Sequence, residues 1–310
     1  MRVAIGVGKE SQGFQKHVMD SLRLYWTFAR PFTLLPPVVG ILCGSLISAA
    51  ATHTSFPVLR VTLSMIGVAV LNGASNGLNQ IYDLASDSIN KPHRPLPSAG
   101  LSLRRAWTFV IAAYLMALAM ACVVGGQTFV LYALAAVATI AYSVPPLRLK
   151  RHPFAANFII ALVRGKLLIV AGWSVVATVL RSIEPWYLGF ILFLFLLGAA
   201  TTKDFADIEG DRATGCITLP VRYGVERSAR VISPAFVLPW LLLPLGVRLK
   251  ILNANWPAIL ILTLVMVVWG GYVAYRMNHT AQSLANGSWH HMYWMLMLGD
   301  VGLATAYLIR

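Results

Sequence analysis

Charged residues are scarce in this sequence. Asp, Glu, Lys and Arg make up 12% of its 310 residues, about half of the roughly 25% that is usual in soluble globular domains. Hydrophobic residues make up 58%. This balance excludes an ordinary water-soluble domain, because too few polar side chains are present to cover its surface. The composition predicts that lipid surrounds most of the chain.

Cysteine is also rare. The three cysteines, Cys43, Cys122 and Cys216, have neither paired nor metal-like spacing, which excludes a disulfide framework and a zinc site. No secretory signal peptide is evident, because more than thirty mostly polar or amphipathic residues precede the first long apolar run.

Long apolar runs are abundant. A membrane-spanning helix needs about 20 apolar residues, and nine segments provide them: 32–51, 59–83, 105–124, 127–144, 154–179, 186–203, 229–247, 256–275 and 291–309. Their continuity favours helices, since strands of membrane barrels alternate in segments of about ten residues. The sequence predicts an all-α polytopic membrane protein, with a tail and interfacial lead-in over 1–31 and a single transmembrane domain over 32–310.

Basic residues alternate between the two sides of the predicted membrane. Eighteen of the 25 Lys and Arg lie in the N-terminal segment and in the connections after every second helix, whereas five lie on the opposite side. The positive-inside rule therefore places the N-terminus and the basic loops in the cytoplasm and the C-terminus on the opposite side. On this interpretation the net charge of +14 reflects membrane topology, and nucleic acid is not an expected partner.

Six of the eleven acidic residues are clustered at the predicted cytoplasmic ends of helices two and six: Asp83, Asp87, Asp204, Asp207, Glu209 and Asp211. Spacings of three or four residues place the members of each cluster on one face of a helix. Because like charges one turn apart repel, the clusters indicate a bound cation. Oxygen-only ligands suit Mg²⁺, which combines one or two carboxylates with substrate phosphates. A solvated helix end is the alternative.

Amides and cations accompany the acids. Asn79 precedes Asp83 by one helical turn, and Asn72 and Asn76 continue the polar stripe into the membrane, where such residues usually face a cavity or another helix. Proline-rich loops present further cations, which are the expected partners of phosphate oxygens: Lys91, Arg94, Arg148, Lys150 and Arg151. Their alternative role is to set topology.

Three ionisable residues lie inside predicted helices. Arg164 is a candidate for contact with the acceptor or the diphosphate, because charge at this depth indicates function by default. Lys166 and Asp300 have no assigned role.

Four segments resemble the UbiA superfamily of intramembrane prenyltransferases. Asn79-x-x-x-Asp83-x-x-x-Asp87, followed by Asn-Lys-Pro-His-Arg-Pro-Leu-Pro-Ser, is similar to its first signature, and Asp204-x-x-Asp207-x-x-x-Asp211 to its second. The segment from Tyr142 to Arg151 and the sequence Arg30-Pro-Phe-Thr are similar to two further family segments. Gln80 stands where many members have Asp.

The resemblance implies a fold and a set of roles. Nine helices would surround a central cavity as two four-helix halves plus one, with the duplication offset by 125 residues from Asn79 to Asp204. The two clusters would hold Mg²⁺ on an isoprenoid diphosphate, and Tyr142 would donate a hydrogen bond. The residues implied in diphosphate binding are Asn79, Arg94, Lys150, Arg151 and Arg30.

The implied reaction is prenyl transfer to a hydrophobic or amphipathic acceptor. The resemblance is strongest to the branch with homogentisate prenyltransferases, chlorophyll synthases and archaeal ether-lipid synthases, which favours an aromatic or quinone-precursor acceptor. A glycerol-phosphate lipid or a tetrapyrrole remains open, as does cyclisation or hydrolysis of the diphosphate. A cation transporter is a remote alternative, since its path would need polar groups through the full membrane thickness.

Overall fold

The computed structural model describes residues 22–279 and 287–309, in which every regular element is helical. Eight helices are long and apolar enough to span a membrane. They are α1 (Pro31–Thr52), α2 (Val58–Tyr82), α3 (Leu103–Val124), α4 (Gly126–Ser143), α5 (Pro153–Ser174), α6 (Glu184–Ala206), α7 (Val225–Arg248) and α8 (Trp256–His279). The prediction of an all-α polytopic membrane protein is confirmed.

The ninth predicted segment also forms a helix, α9 (Ser288–Leu308). Its 21 residues extend about 31 Å at 1.5 Å per residue, which matches the hydrocarbon core of a bilayer. It contains the polar residues His290, His291 and Asp300. Helix α9 packs against α1 and α8, so it belongs to the same bundle.

Helix alternation places the three connections that carry most of the predicted acids and cations at one end of the bundle. The chain runs through residues 83–102, 144–152 and 207–224 at the end where α1 begins. At the other end α3 and α4 are separated only by Gly125. Of the predicted interfacial lead-in, residues 22–29 form a short helix, and residues 1–21 lie outside the described part of the chain.

Both acidic segments are broken in the middle, which the one-face prediction did not anticipate. Helix α2 ends at Tyr82, Asp83 has φ −100° and ψ 9°, and a new helix runs over Leu84–Asn90. Asp207 repeats this geometry, with φ −111° and ψ 7°, before the helix Ile208–Ala213. The two breaks correspond at an offset of 124 residues, one fewer than the predicted offset, so Lys203 takes the place of Asn79.

Glycines permit close helix packing. A Cβ on Gly44 of α1 would lie 2.6 Å from the Ile169 carbonyl oxygen of α5. A Cβ on Gly270 of α8 would lie 2.0 Å from the Phe236 carbonyl oxygen of α7. In membranes, where apolar burial does not drive helices together, such backbone approach supplies van der Waals packing.

Candidate active site

A cavity of about 550 Å³ lies inside the bundle. It is lined by α1, α2, α4, α5, α6 and α9 and by the connections over residues 83–102, 144–152 and 207–224. Thirteen of the fourteen predicted site residues line it, and Arg151 does not. The thirteen are Arg30, Asn72, Asn76, Asn79, Asp83, Asp87, Arg94, Tyr142, Lys150, Arg164, Asp204, Asp207 and Asp211.

The acids of the first cluster are paired with basic residues of two loops. Asp83 forms a salt bridge with Lys150, and Asp87 with Arg94, whose Nη1 lies 2.5 Å from its Oδ2. Lys150 Nζ also donates to Asn79 Oδ1 over 3.3 Å. The two carboxylates on either side of this helix break therefore face different cations.

The second cluster is built around Lys203. Its Nζ lies 3.3 Å from Asp204 Oδ1 and donates to the Tyr142 hydroxyl over 3.0 Å. The family resemblance implied that Tyr142 donates a hydrogen bond. Here its oxygen accepts from Lys203, which leaves its hydroxyl hydrogen to donate elsewhere. Asp207 forms a salt bridge with Lys91, which follows the first cluster in sequence.

The two clusters are joined through Asn90. Its Nδ2 donates to the Asp207 carbonyl oxygen over 3.1 Å, and its Oδ1 accepts from the Gly210 N–H over 3.0 Å. A Cβ on Gly210 would lie 2.3 Å from Asn90 Nδ2. Only glycine therefore allows these two short helices to pack at this distance.

Burial and neighbouring charges shift the pKa values of several side chains at the site. Burial raises the pKa of the Asp87 carboxyl, and Arg94 opposes the rise. Burial, with Asp204 nearby, raises the pKa of Asp211 to about 7. Burial lowers the pKa of the Lys150 ammonium, and Asp83 opposes that change. Such shifts are typical of functional sites.

The donor chemistry fits Mg²⁺. Five carboxylates and the Asn79 amide line one cavity, and oxygen ligands of this kind are those that Mg²⁺ prefers. Among the described residues no three His, Cys, Asp or Glu side chains form a metal site by themselves. Mg²⁺ does not require one, because it usually takes one or two carboxylates and completes its shell with water and substrate phosphates.

A stripe of amides on α2 holds the start of α1 in place. Asn76 Nδ2 donates to the Ala29 carbonyl oxygen over 2.9 Å, and Gln80 Nε2 donates to that of Phe28 over 2.7 Å. Arg30 follows with φ 60° and ψ 70°, in the left-handed region that non-glycine residues seldom adopt. Gln80, where this sequence differs from the family signature, therefore has a structural role. Together with Asn76 it holds the backbone before Arg30, which fixes Arg30 beside the cavity.

Three predicted or unassigned residues lie away from this constellation. Arg151 is exposed, and its backbone carbonyl accepts from the Ile217 N–H over 3.0 Å. The Lys166 ammonium lies over the Trp186 ring, 5.8 Å from its centroid. Asp300 is 1% exposed, and neither carboxyl oxygen has a hydrogen-bond partner among the described residues.

Apolar side chains line the rest of the cavity, where α2, α4 and α5 meet. They include Val68, Leu71, Leu131 and Leu167. Tyr132 also lines this part, and its hydroxyl donates to the Ser64 carbonyl oxygen over 2.7 Å. The cavity therefore combines a charged mouth with an apolar interior.

Sequence reasoning assigned no site role to Lys203, Asn90 or Tyr293, all of which the structure places at the site or in its supports. Position 203 could have been found by aligning the two acidic segments at the offset of 124 residues. Nothing local distinguishes Tyr293 from other membrane aromatics.

Known proteins share both sequence and fold with this chain. The probable homogentisate phytyltransferase 2 of Oryza sativa subsp. japonica is 34% identical over 216 residues, which are 66% of this chain and 56% of that protein. The chain thus spans little more than half the length of this plant relative. The digeranylgeranylglyceryl phosphate synthase of Methanosphaera stadtmanae is 25% identical over 84% of this chain and 90% of its own.

A solved structure has the same architecture. The UbiA homologue from Archaeoglobus fulgidus, bound to GPP and Mg²⁺, superposes with a TM-score of 0.69 at 20% identity over 91% of this chain and 99% of its own. The family model described as the UbiA prenyltransferase family matches residues 28–297. The resemblance found in the four sequence segments is confirmed, and the chain belongs to the UbiA prenyltransferase family.

Proposed function

We propose that this chain is a Mg²⁺-dependent prenyltransferase that moves a prenyl group from an isoprenoid diphosphate to an acceptor held in the membrane. One observation carries the proposal: a single cavity joins five carboxylates and several cations at its mouth to an apolar interior. A prenyl diphosphate has the same division into a charged head and a hydrocarbon tail. Family membership and the GPP and Mg²⁺ bound to the Archaeoglobus protein support it.

The basic residues of the mouth bind and orient the diphosphate. Arg30, Arg94, Lys150 and Lys203 line the cavity around the acidic clusters, and fixed cations of this kind stabilise the charge that develops on the leaving group. When bound, Mg²⁺ supplies Lewis-acid stabilisation of the same charge. The residues that would hold it are Asn79, Asp83, Asp87, Asp204, Asp207 and Asp211.

The reaction transfers one group between two substrates. The bond from C1 of the prenyl chain to the diphosphate oxygen breaks, and the diphosphate leaves with the electron pair. An electron-rich carbon or oxygen of the acceptor supplies the pair for the new bond to C1, and the proton that it loses passes to the departing diphosphate. Apolar walls such as Leu71 and Leu131 keep water from the allylic cation.

An aromatic or quinone-precursor acceptor is the first choice, and similarity to the rice homogentisate phytyltransferase supports it. The alternative is a glycerol-phosphate lipid, supported by the Methanosphaera relative, or a tetrapyrrole. The excess of Lys and Arg at the site's end of the bundle supports a cytoplasmic location for the site.

The test is prenyl transfer by the purified protein in nanodiscs. Geranyl, farnesyl and geranylgeranyl diphosphates are combined with a panel of the three acceptor classes, with and without Mg²⁺. Asp83→Asn and Asp207→Asn remove one carboxylate from each cluster. Glu226→Gln is the matched control, because the Glu226 side chain is 87% exposed and pairs with Arg230 at the surface.

Mg²⁺-dependent product that both aspartate variants lose and the control retains is the expected result. Diphosphate release without a prenylated product would replace transfer with cyclisation or hydrolysis. No binding of any prenyl diphosphate would overturn the proposal and reopen the transporter alternative.

A further inference from the structure

A second cavity, of about 430 Å³, lies on the surface of the bundle. Helix α2 forms its floor, and α1 and α3, which both pack against α2, form its walls. Trp26 and Ala29, from the short helix over residues 22–29, line it where α1 begins. Among the described residues, none lines both this cavity and the candidate active site. We call the second cavity the surface groove.

The surface groove is lined by apolar side chains. Of its thirteen lining residues, twelve are apolar residues or glycine, and the exception is Thr62. Ile66 and Met116 are 48% and 47% exposed, so the groove is open towards the medium around the bundle, which in a membrane is hydrocarbon. A concave apolar surface makes more van der Waals contacts with a hydrocarbon chain than a flat helix face does.

The depth of the surface groove matches one leaflet of a bilayer. On α3 the groove extends from Phe109 to Met116, and Arg105 lies one helical turn before Phe109. Met116 follows Arg105 by eleven residues, so the two are about 16 Å apart along the helix axis. This length is about half of the hydrocarbon core of a bilayer, which is about 30 Å thick. A single acyl chain spans the same depth.

Two arginines lie at one end of the surface groove. Arg23 precedes Trp26 by three residues in the short helix, and Arg105 precedes Phe109 by four in α3, so each shares a helix face with a lining residue. The Tyr25 ring stacks on the Phe109 ring with 5.7 Å between centroids, which joins the short helix to α3.

Both arginines are available to a ligand. They are exposed, and neither forms a salt bridge within residues 22–279 and 287–309. Trp26 is 60% exposed beside them, and tryptophan at such a position prefers the headgroup level of a bilayer. The groove therefore presents an apolar channel below a positively charged end, which complements a lipid with an anionic headgroup.

We infer that the surface groove binds one acyl chain of an anionic phospholipid, and that Arg23 and Arg105 bind its headgroup. The inference does not depend on the proposed function, because the groove lies outside the candidate active site. The bound lipid contacts the short helix, α1, α2 and α3 together. A ligand that binds only the folded protein raises its stability, so this lipid should raise the thermal midpoint.

The first test uses the intact protein. It is purified in mixed micelles that contain equal amounts of dioleoylphosphatidylglycerol and dioleoylphosphatidylcholine, and the retained lipid is identified by native mass spectrometry. Each basic residue near the surface favours an anionic lipid by about fivefold, so the phosphatidylglycerol should be preferred about 10- to 30-fold for two arginines. Glycerol 3-phosphate, which has the anion without the chain, should not displace it.

The second test changes the charge. Arg105→Gln should lower the preference for phosphatidylglycerol about fivefold and leave the retention of phosphatidylcholine unchanged. Arg104→Gln is the matched control, because Arg104 is also exposed but lies about 140° around α3 from Phe109, whereas Arg105 lies about 40° from it. The control should change the preference by less than about twofold.

The third test fills the surface groove. Ala69 lines its floor on α2, so Ala69→Phe should abolish retention of one phosphatidylglycerol and the rise in thermal midpoint that this lipid causes. Ala119→Phe is the matched control, since Ala119 is exposed on α3 and does not line the groove. It should retain the lipid and the rise.

Several outcomes would overturn the inference. These are equal retention of the two lipids by the intact protein, equal effects of Arg104→Gln and Arg105→Gln, or retention of the preferred lipid by a folded Ala69→Phe variant. A dimer that Ala69→Phe dissociates would also overturn it, because the groove would then bind a second copy of this chain. If Ala69→Phe does not fold, the comparison of the two arginine variants decides.

Discussion

Replacement of Gly210 by Ala should separate the two acidic clusters. The added Cβ would lie 2.3 Å from Asn90 Nδ2, 2.7 Å from Asn90 Cγ and 2.8 Å from Ser86 Oγ. Asn90 cannot move away without breaking its bonds to the Asp207 carbonyl and the Gly210 N–H. The substitution therefore acts on the distance between the clusters and removes no charged or metal-binding group.

The size of the effect follows from the two hydrogen bonds. Each contributes about 1 kcal/mol net, so their loss weakens the arrangement by about 2 kcal/mol, or about 30-fold in an equilibrium constant. A diphosphate that contacts both clusters needs them at the right distance from each other. The loss of the two hydrogen bonds should therefore weaken diphosphate binding. The dissociation constant of geranyl diphosphate with Mg²⁺, measured by calorimetry in detergent, should rise by about that factor.

Asn90→Ala supplies the comparison, because it removes the same two bonds without a clash. The double variant with Gly210→Ala should bind only slightly more weakly than Asn90→Ala alone, since the two closest contacts of the added Cβ are gone and only Ser86 Oγ at 2.8 Å remains. Wild-type affinity in Gly210→Ala would refute the reasoning, as would additive losses in the double variant. Gly271→Ala is a control without neighbours, because nothing lies within 4 Å of its added Cβ.

Three more predictions concern the bundle. Gly270→Ala should lower the thermal midpoint in detergent, because its Cβ would lie 2.0 Å from a carbonyl oxygen of α7, while Gly271→Ala should not; equal midpoints would contradict the packing. Tyr132→Ala should open the apolar end of the cavity and shift donor preference towards longer prenyl chains, measured by competition between diphosphates, and an unchanged preference would place the tail elsewhere. Cysteines introduced at Glu226 and Lys250, near opposite ends of α7, should be labelled from opposite sides of sealed vesicles, with that at Glu226 facing the cytoplasm.

The spans were predictable from sequence because lipid imposes a local rule. Every backbone polar group must be satisfied within its own segment, so a run of apolar residues becomes a helix of bilayer length. The predicted bounds agree with the observed helices to within a few residues at most ends. The largest difference is at the end of α5, which stops at Ser174 where the prediction extended to residue 179.

The oxygen donors were also predictable, because few acids occur and most are clustered. The geometry of these donors could not be predicted from the sequence. A spacing of four residues predicts one helical face, yet the chain breaks at Asp83 and Asp207. Each break depends on cations and amides from other segments, such as Lys150, which lies 67 residues from its partner Asp83.

By itself, the sequence determined the membrane environment, the helical architecture and the acidic clusters, since these follow from local composition and spacing. The resemblance of four segments to known signatures indicated the family. Only the tertiary structure decided which groups meet. Arg164 and Tyr293 are separated by 129 residues, and Asn90 reaches Gly210 over 120. Such contacts depend on how closely and at what angle helices pack, and that is set by many distributed side-chain and backbone contacts instead of any single segment.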